Sequence, residues 1–190
     1  MGDRIFVAIM PPASVVDALA TLIAPRRDAD PDLRWTPAHQ WHLTLAFIPD
    51  SPPPLTDALT ESLAEVAART APFAIGLEGG GCVPHPDAAR LLYLGVTGDT
   101  ESLGRVARRS RVAAERLGIE VDGGRFRPHL TLARGRRPLQ ARRWLTILDS
   151  FPPLSWAVDE IVLMKSTLHP SGAEHRQLGS WTLLGRPPLT

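Results

Sequence analysis

The chain has 190 residues, 44% hydrophobic and 22% charged, which is long and apolar enough for a packed core and excludes a disordered or collagen-like protein. Twenty-one basic against 20 acidic residues leave a net charge of +1, excluding an indiscriminate polyanion binder; the single cysteine, Cys82, excludes an internal disulfide and a cysteine-based zinc cluster. No apolar run reaches the ~18 residues of a membrane span, and residues 1–6 match neither a secretory leader nor a myristoylation signal, so a cytoplasmic protein without membrane contact is expected.

The run Arg4 to Met10 predicts a buried strand, ended by Pro11-Pro12. Ser14 is placed to cap a helix in which Val15, Val16, Leu19, Leu22 and Ile23 follow helical spacing. After a loop with Pro31 and Pro37, residues 41–48 read as a strand, residues 49–54 as a turn, and residues 55–70 as a helix with Leu55, Leu59, Leu63 and Val66 on one face. Strands are predicted at 73–78 and 90–96, around a Gly/Pro-rich loop at 79–89. An Arg-rich helix over 100–117 ends at Gly118; then come a strand at 126–134, a helix at 139–148, and strands at 156–165 and 177–184. Mixed helices and hairpin-forming strands without a linker predict an α+β chain, one domain over residues 1–190.

Charge and basic residue type narrow the chemistry. Residues 1–103 carry 6 Arg against 13 acids, whereas residues 104–143 carry 12 Arg against 3 acids. That basic segment fits either a solvated helix face, for Arg105, Arg108, Arg109 and Arg116, or a positive rim for an anionic substrate. Lys165 is the one lysine, and it stands neither in a glycine loop before Ser or Thr nor in the Lys-x-Asp-Gly setting of a nucleotidyl-transfer ligase. ATP-driven chemistry is therefore not expected.

The organising feature is a repeat. His42-Leu43-Thr44-Leu45-Ala46 recurs letter for letter as His129-Leu130-Thr131-Leu132-Ala133, 87 residues later, in a chain with only six histidines. In a strand alternate side chains share a face, so each His/Thr pair lines one surface while the leucines pack on the other. If the two halves face each other, two imidazoles and two hydroxyls converge on one cleft. Imidazole titrates near pH ~6.5, so such a pair can supply a base and an acid on opposite sides of a reacting atom. Threonine hydroxyls can donate to non-bridging phosphate oxygens without carrying charge. The matching reaction is in-line displacement at a phosphodiester.

The doubled His-x-Thr motif, with Arg4 to Ile9 ahead of it, Leu33-Arg34-Trp35-Thr36-Pro37 leading to the first copy, Phe126-Arg127-Pro128 before and Arg134 after the second, and Ser166-Thr167-Leu168 with Gly172 and Leu178 near the end, resembles the 2H phosphoesterases. Within them it is most similar to the RNA 2′,3′-cyclic phosphodiesterases, historically called 2′-5′ RNA ligases. The resemblance spans essentially the whole chain. It implies a bilobal α+β fold with two pseudo-symmetric lobes, antiparallel sheets flanked by helices, and a central cleft. It also implies metal-free hydrolysis of a 2′,3′-cyclic phosphate end of RNA or a nucleotide to a 2′-phosphomonoester; no cofactor and no ATP are expected, and a monomer is expected. His129 would be the general base and His42 the general acid, Thr44 and Thr131 would hold the phosphate, and Arg134 and Arg127 would add positive contacts. His175 departs from the pattern, standing where relatives often carry tyrosine.

Other readings have weaker support. His39 and His42 could share a helix face for a metal, but Pro37 and the β-forming run oppose a helix and no carboxylate is near in sequence. His169 and His175 flank a Pro-Ser-Gly turn and are expected to be exposed, and His85 is a loop residue. Gly79-Gly80-Gly81 lacks the Lys-Ser/Thr of a phosphate loop and reads as a tight turn. Cys82 reads as a semi-buried thiol, and Trp35 and Trp41 as half-buried packing able to stack on a base. The alternatives in function are 2′-5′ ligation as the reverse reaction, hydrolysis of small cyclic nucleotides, and a non-catalytic RNA-binding module.

Overall fold

The computed structural model describes residues 2–169 and 172–185. Its strands are β1 (Asp3–Ile9), β2 (Leu33–Trp35), β3 (Leu43–Ser51), β4 (Phe73–Val83), β5 (Ala89–Gly98), β6 (His129–Leu139), β7 (Leu154–Val158), β8 (Glu160–His169) and β9 (Gly172–Thr182). The helices are α1 (Ala13–Ile23), α2 (Pro53–Ala68), α3 (Thr100–Arg116) and α4 (Arg142–Asp149). The strands join in one antiparallel sheet of order β7-β4-β5-β6-β3-β1-β8-β9, with β2 on β6.

That order divides into two four-strand halves at the β6–β3 seam. Outward from it run β3-β1-β8-β9 on one side and β6-β5-β4-β7 on the other, so the fold is α+β with two pseudo-symmetric lobes. The seam is thin: Leu43 opposite Leu130 is its paired position. Both leucines are at most 1% exposed, and each contributes about 2 kcal/mol by burial, so the lobes are fused by apolar packing at the repeat itself. The helices also exchange sides. α1 follows β1 but packs against β7 of the other lobe, and α3 follows β5 but packs against β3, while α2 lies on α3 and α4 on β4.

Several boundaries differ from the sequence expectation. Residues 49–51 continue β3 rather than turning, because Asp3 pairs with Ser51 at the end of β1. Gly79–Gly81 lie inside β4, where a register irregularity between Leu77 and Gly80 takes up the flexibility read as a loop; no tight turn forms there. The close approach is visible at Gly81, where a Cβ would collide with the Tyr93 ring of β5. The segment expected as one strand over 156–165 is two, β7 and β8, and the last strand extends from 177 back to Gly172, pairing with β8 along its length. Part of the turn expected between His169 and His175, at 170–171, lies outside the described residues. Ser14 sits within α1 and caps nothing; Pro12 is the N-cap. α3 has a side-chain cap: the Asp99 carboxylate accepts from the Ser102 hydroxyl at 2.6 Å and from the Ser102 N–H at 2.9 Å, and these two bonds, the hydroxyl's first, draw the Asp99 pKa below the ordinary carboxylate value. Gly118, with φ of 75°, ends the chain's course along α3. Among the described residues no helix is long and apolar enough to cross a membrane.

Candidate active site

A cleft of about 410 Å³ opens over the seam, and both copies of the repeat line it through His42, Thr44, His129 and Thr131. Leu43, Leu45, Leu130 and Leu132 are buried on the other side, at most 2% exposed, as strand alternation requires. The two histidines are held alike. His42 Nδ1 lies 2.7 Å from the Gln40 carbonyl and His129 Nδ1 lies 2.8 Å from the Arg127 carbonyl. A carbonyl accepts only, so each Nδ1 carries the proton and each Nε2 is the nitrogen left for chemistry.

A second device is repeated. In β3 one residue, Leu45, is extra between Thr44, opposite Ala8, and Ala46, opposite Val7. In β6 Leu132 is extra in the same way, between Thr131, opposite Tyr93, and Ala133, opposite Leu92. Such a bulge bends the strand and re-aims the side chains beyond it. Strict alternation would turn Phe47 and Arg134, each five residues after its histidine, away from the cleft; after the bulge both line it.

The surroundings of the two imidazoles differ. His42 stacks on the buried Phe6 ring, with centroids 4.6 Å apart and an interplanar angle of 28°. His175, from β9, meets His42 edge-on at 5.4 Å and Phe6 at 5.0 Å. Burial lowers the His42 pKa to about 4; the Gln40 bond opposes this, and His175, His129 and Arg134 add to it, so the imidazole is neutral at pH 7. Burial, with Arg4 and His39, also lowers the pKa of His175. His129 has a tilted neighbour, Tyr93, at 5.1 Å.

Of the six residues expected from sequence to catalyse or to hold the phosphate, five line the cleft: His42, Thr44, His129, Thr131 and Arg134. The Arg127 side chain does not; it is exposed, and its contribution is the carbonyl that holds His129. The physical reason is that β6 begins at His129, so Arg127 lies ahead of the strand and does not share its faces. His175 is half-buried in the cleft rather than exposed, because the long β8–β9 hairpin places it opposite Ser166. Trp41 is 1% exposed and unable to stack on a base, while Trp35 lines the cleft, edge-on to Trp144 at 5.4 Å. His39 is exposed within the short turn Ala38–Gln40. Among the described residues no three or more His, Cys, Asp or Glu side chains cluster as metal ligands.

Arg4, Phe6, Gln40 and Phe47 also line the cleft, although the sequence pattern does not nominate them. The Arg4 guanidinium lies 4.6 Å over the Phe47 ring, and the Gln40 Nε2 donates to the Ala173 carbonyl at 2.7 Å, tying the β9 end to the approach of the first motif. A signal for Phe47 is nevertheless present: it is the residue after the repeat, the counterpart of Arg134. Of the basic segment 104–143, α3 carries its arginines outside the cleft, whereas Arg134 and Arg136 on β6 face the cleft and its rim.

Comparison with known proteins places this arrangement. Residues 11–170 match the family described as the 2′-5′ RNA ligase superfamily. The RNA 2′,3′-cyclic phosphodiesterase of Thermus thermophilus is 31% identical over 96% of this chain and 91% of its own. The protein of that name from Geobacillus stearothermophilus is 30% identical over 96% of this chain, which spans 58% of that relative's length. The crystal structure of E. coli LigT complexed with 3′-AMP superposes with a TM-score of 0.78 at 25% identity, covering 96% of this chain and 99% of that one.

Proposed function

The chain belongs to the 2′-5′ RNA ligase superfamily, and from that membership we propose that it hydrolyses the 2′,3′-cyclic phosphate end of RNA to a 2′-phosphomonoester, with His42 and His129 as acid and base. The observation that carries this reading is the doubled histidine geometry: two rings, each with Nδ1–H fixed on the carbonyl two residues earlier, presenting two Nε2 atoms to one cleft. Relatives named for this activity and a likeness to LigT with bound 3′-AMP support it.

Hydrolysis is a single in-line displacement. Nε2 of His129 accepts a proton from water as its oxygen attacks phosphorus opposite O3′; the P–O3′ bond breaks, and Nε2–H of His42 protonates O3′. The products are a 3′-hydroxyl and a 2′-phosphomonoester. Thr44 and Thr131 donate to the non-bridging oxygens, and Arg134 offsets the charge that builds on them. His42 must take up a proton before it acts. The phosphodiester anion beside Nε2 supplies the attraction that desolvation alone opposes, so substrate binding and protonation of His42 go together. The reading calls for neither ATP nor metal, for a monomer, and for the reducing cytoplasm in which a lone Cys82 stays a thiol.

The test is hydrolysis of an RNA oligomer ending in a 2′,3′-cyclic phosphate, in excess EDTA without ATP. The wild type should give a 2′-phosphate, and His42→Ala and His129→Ala should each lower turnover by about 10²–10⁴. No turnover by the wild type, or turnover unchanged in both variants, would refute the reading.

A further inference from the structure

The reacting end of an RNA is one nucleotide from its next phosphate, and the structure bears on where that phosphate lies. A furrow of about 500 Å³, lined by Arg34, Arg134, Gly135 and Arg136, adjoins the cleft and shares Arg34 and Arg134 with it. Arg34 on β2 stands directly opposite Arg134 on β6. Like charges directly opposite across a strand pair are destabilising, and the nearby carboxylates are engaged elsewhere. Asp32 pairs with Arg137 at 3.1 Å, and Asp30 accepts from the Asp32 N–H at 2.9 Å and the Trp144 indole N–H at 3.5 Å. Among the described residues none of Arg34, Arg134 and Arg136 forms an ion pair, although Arg105, Arg137 and Arg142 do. All three side chains are exposed. The cleft holds one further guanidinium among the described residues, Arg4, and that one lies over the Phe47 ring.

We propose that Arg34, Arg134 and Arg136 form a subsite for the phosphodiester one step upstream of the reacting end, so that the RNA body leaves the cleft along β2 and β6 and oligonucleotide ends are preferred over cyclic mononucleotides. The inference rests on the cyclic phosphodiesterase reading and adds the path of the strand. An anion between opposed guanidinium groups accounts for the uncompensated pair, since two charge-assisted contacts replace one repulsion.

The test compares kcat/KM for a nucleoside 2′,3′-cyclic phosphate with that for a tetranucleotide ending in the same group, across a salt series. The wild type should favour the tetranucleotide by about tenfold or more, with a log–log salt slope steeper by about 0.7 for each phosphate bound. In Arg34→Gln/Arg136→Gln that preference and the extra slope should both collapse, chiefly through KM. Arg108→Gln/Arg116→Gln, which removes the same charge from α3, should keep them. Melting adds a readout apart from turnover: relief of the opposed pair should leave the Arg34→Gln/Arg136→Gln variant at least as stable as the wild type. Equal kcat/KM and parallel slopes for the two wild-type substrates would overturn the subsite and leave the cyclic phosphodiesterase reading standing. A tetranucleotide preference that survives the double variant would overturn it too, by sending the RNA body elsewhere. Turnover of neither substrate would overturn the reading beneath it.

Discussion

The lobe of His42 and the lobe of His129 carry the same pentapeptide, the same bulge after the threonine and the same carbonyl clamp on Nδ1, and they differ in what surrounds those parts. Opposite Thr44 stands Ala8, and opposite Thr131 stands Tyr93; after the bulge the first lobe has Phe47 opposite Phe6 and the second has Arg134 opposite Leu91. The first lobe thus walls its imidazole with aromatic rings, and the second supplies a guanidinium. Identical motifs become unlike chemical groups through residues the motif does not contain. Backbone geometry fixes which nitrogen carries the proton and which is left free, and the neighbouring side chains fix how readily the ring takes up a second proton.

The contrast can be broken from either side. The largest effect expected is on stability against pH. The His42 pKa is about 4 folded against about 6.5 unfolded, so between those values the unfolded chain binds more protons and unfolding becomes easier as pH falls. From pH 7 to 4.5 this group alone should remove about 2 kcal/mol, and His175 adds to the loss in the same direction. Denaturant unfolding of the wild type and His42→Ala at both pH values checks it; equal pH sensitivity of the two proteins would show that burial does not hold His42 neutral. Next, Arg134→Phe makes the second lobe resemble the first. Loss of one charge-assisted contact, about 2 kcal/mol, should lower kcat/KM about thirtyfold. Steady-state kinetics on the tetranucleotide checks this, and an unaltered value would remove Arg134 from phosphate recognition. The smallest effect is expected from Gly81→Ala, which pushes the Tyr93 ring off its seat beside His129. A loss of about 1 kcal/mol in unfolding free energy, with a shifted His129 ring signal by NMR, is the expected outcome; an unshifted signal would mean Tyr93 does not position that ring.

Much of the site is legible in the sequence because the repeated His-x-Thr motif is short, local and set in strands, where alternation assigns faces without tertiary knowledge. The bulges are not legible. Leu45 and Leu132 look like ordinary apolar positions, and only the register against Ala8 and Tyr93 shows them to be extra, so sequence alone does not place Phe47 in the cleft and Arg134 enters through family resemblance. The glycine run in β4 reads as a loop because backbone freedom is local, whereas the Tyr93 ring that requires Gly81 lies on another strand. His175 is misplaced for a similar reason: its neighbours suggest a turn, and the pairing of β9 with β8 that carries it to His42 spans residues no local pattern connects. For Arg127 the resemblance nominates the side chain, whereas the contact the structure shows is its carbonyl on His129.

The most direct test of the two-histidine account is the pH dependence of kcat/KM on the cyclic-phosphate oligomer for the wild type, His42→Ala and His129→Ala. The account predicts a bell for the wild type, loss of the acid-side limb in His129→Ala, where the base is gone, and loss of the alkaline limb in His42→Ala, where the acid is gone. A bell that keeps both limbs in either variant, merely lowered, would contradict it.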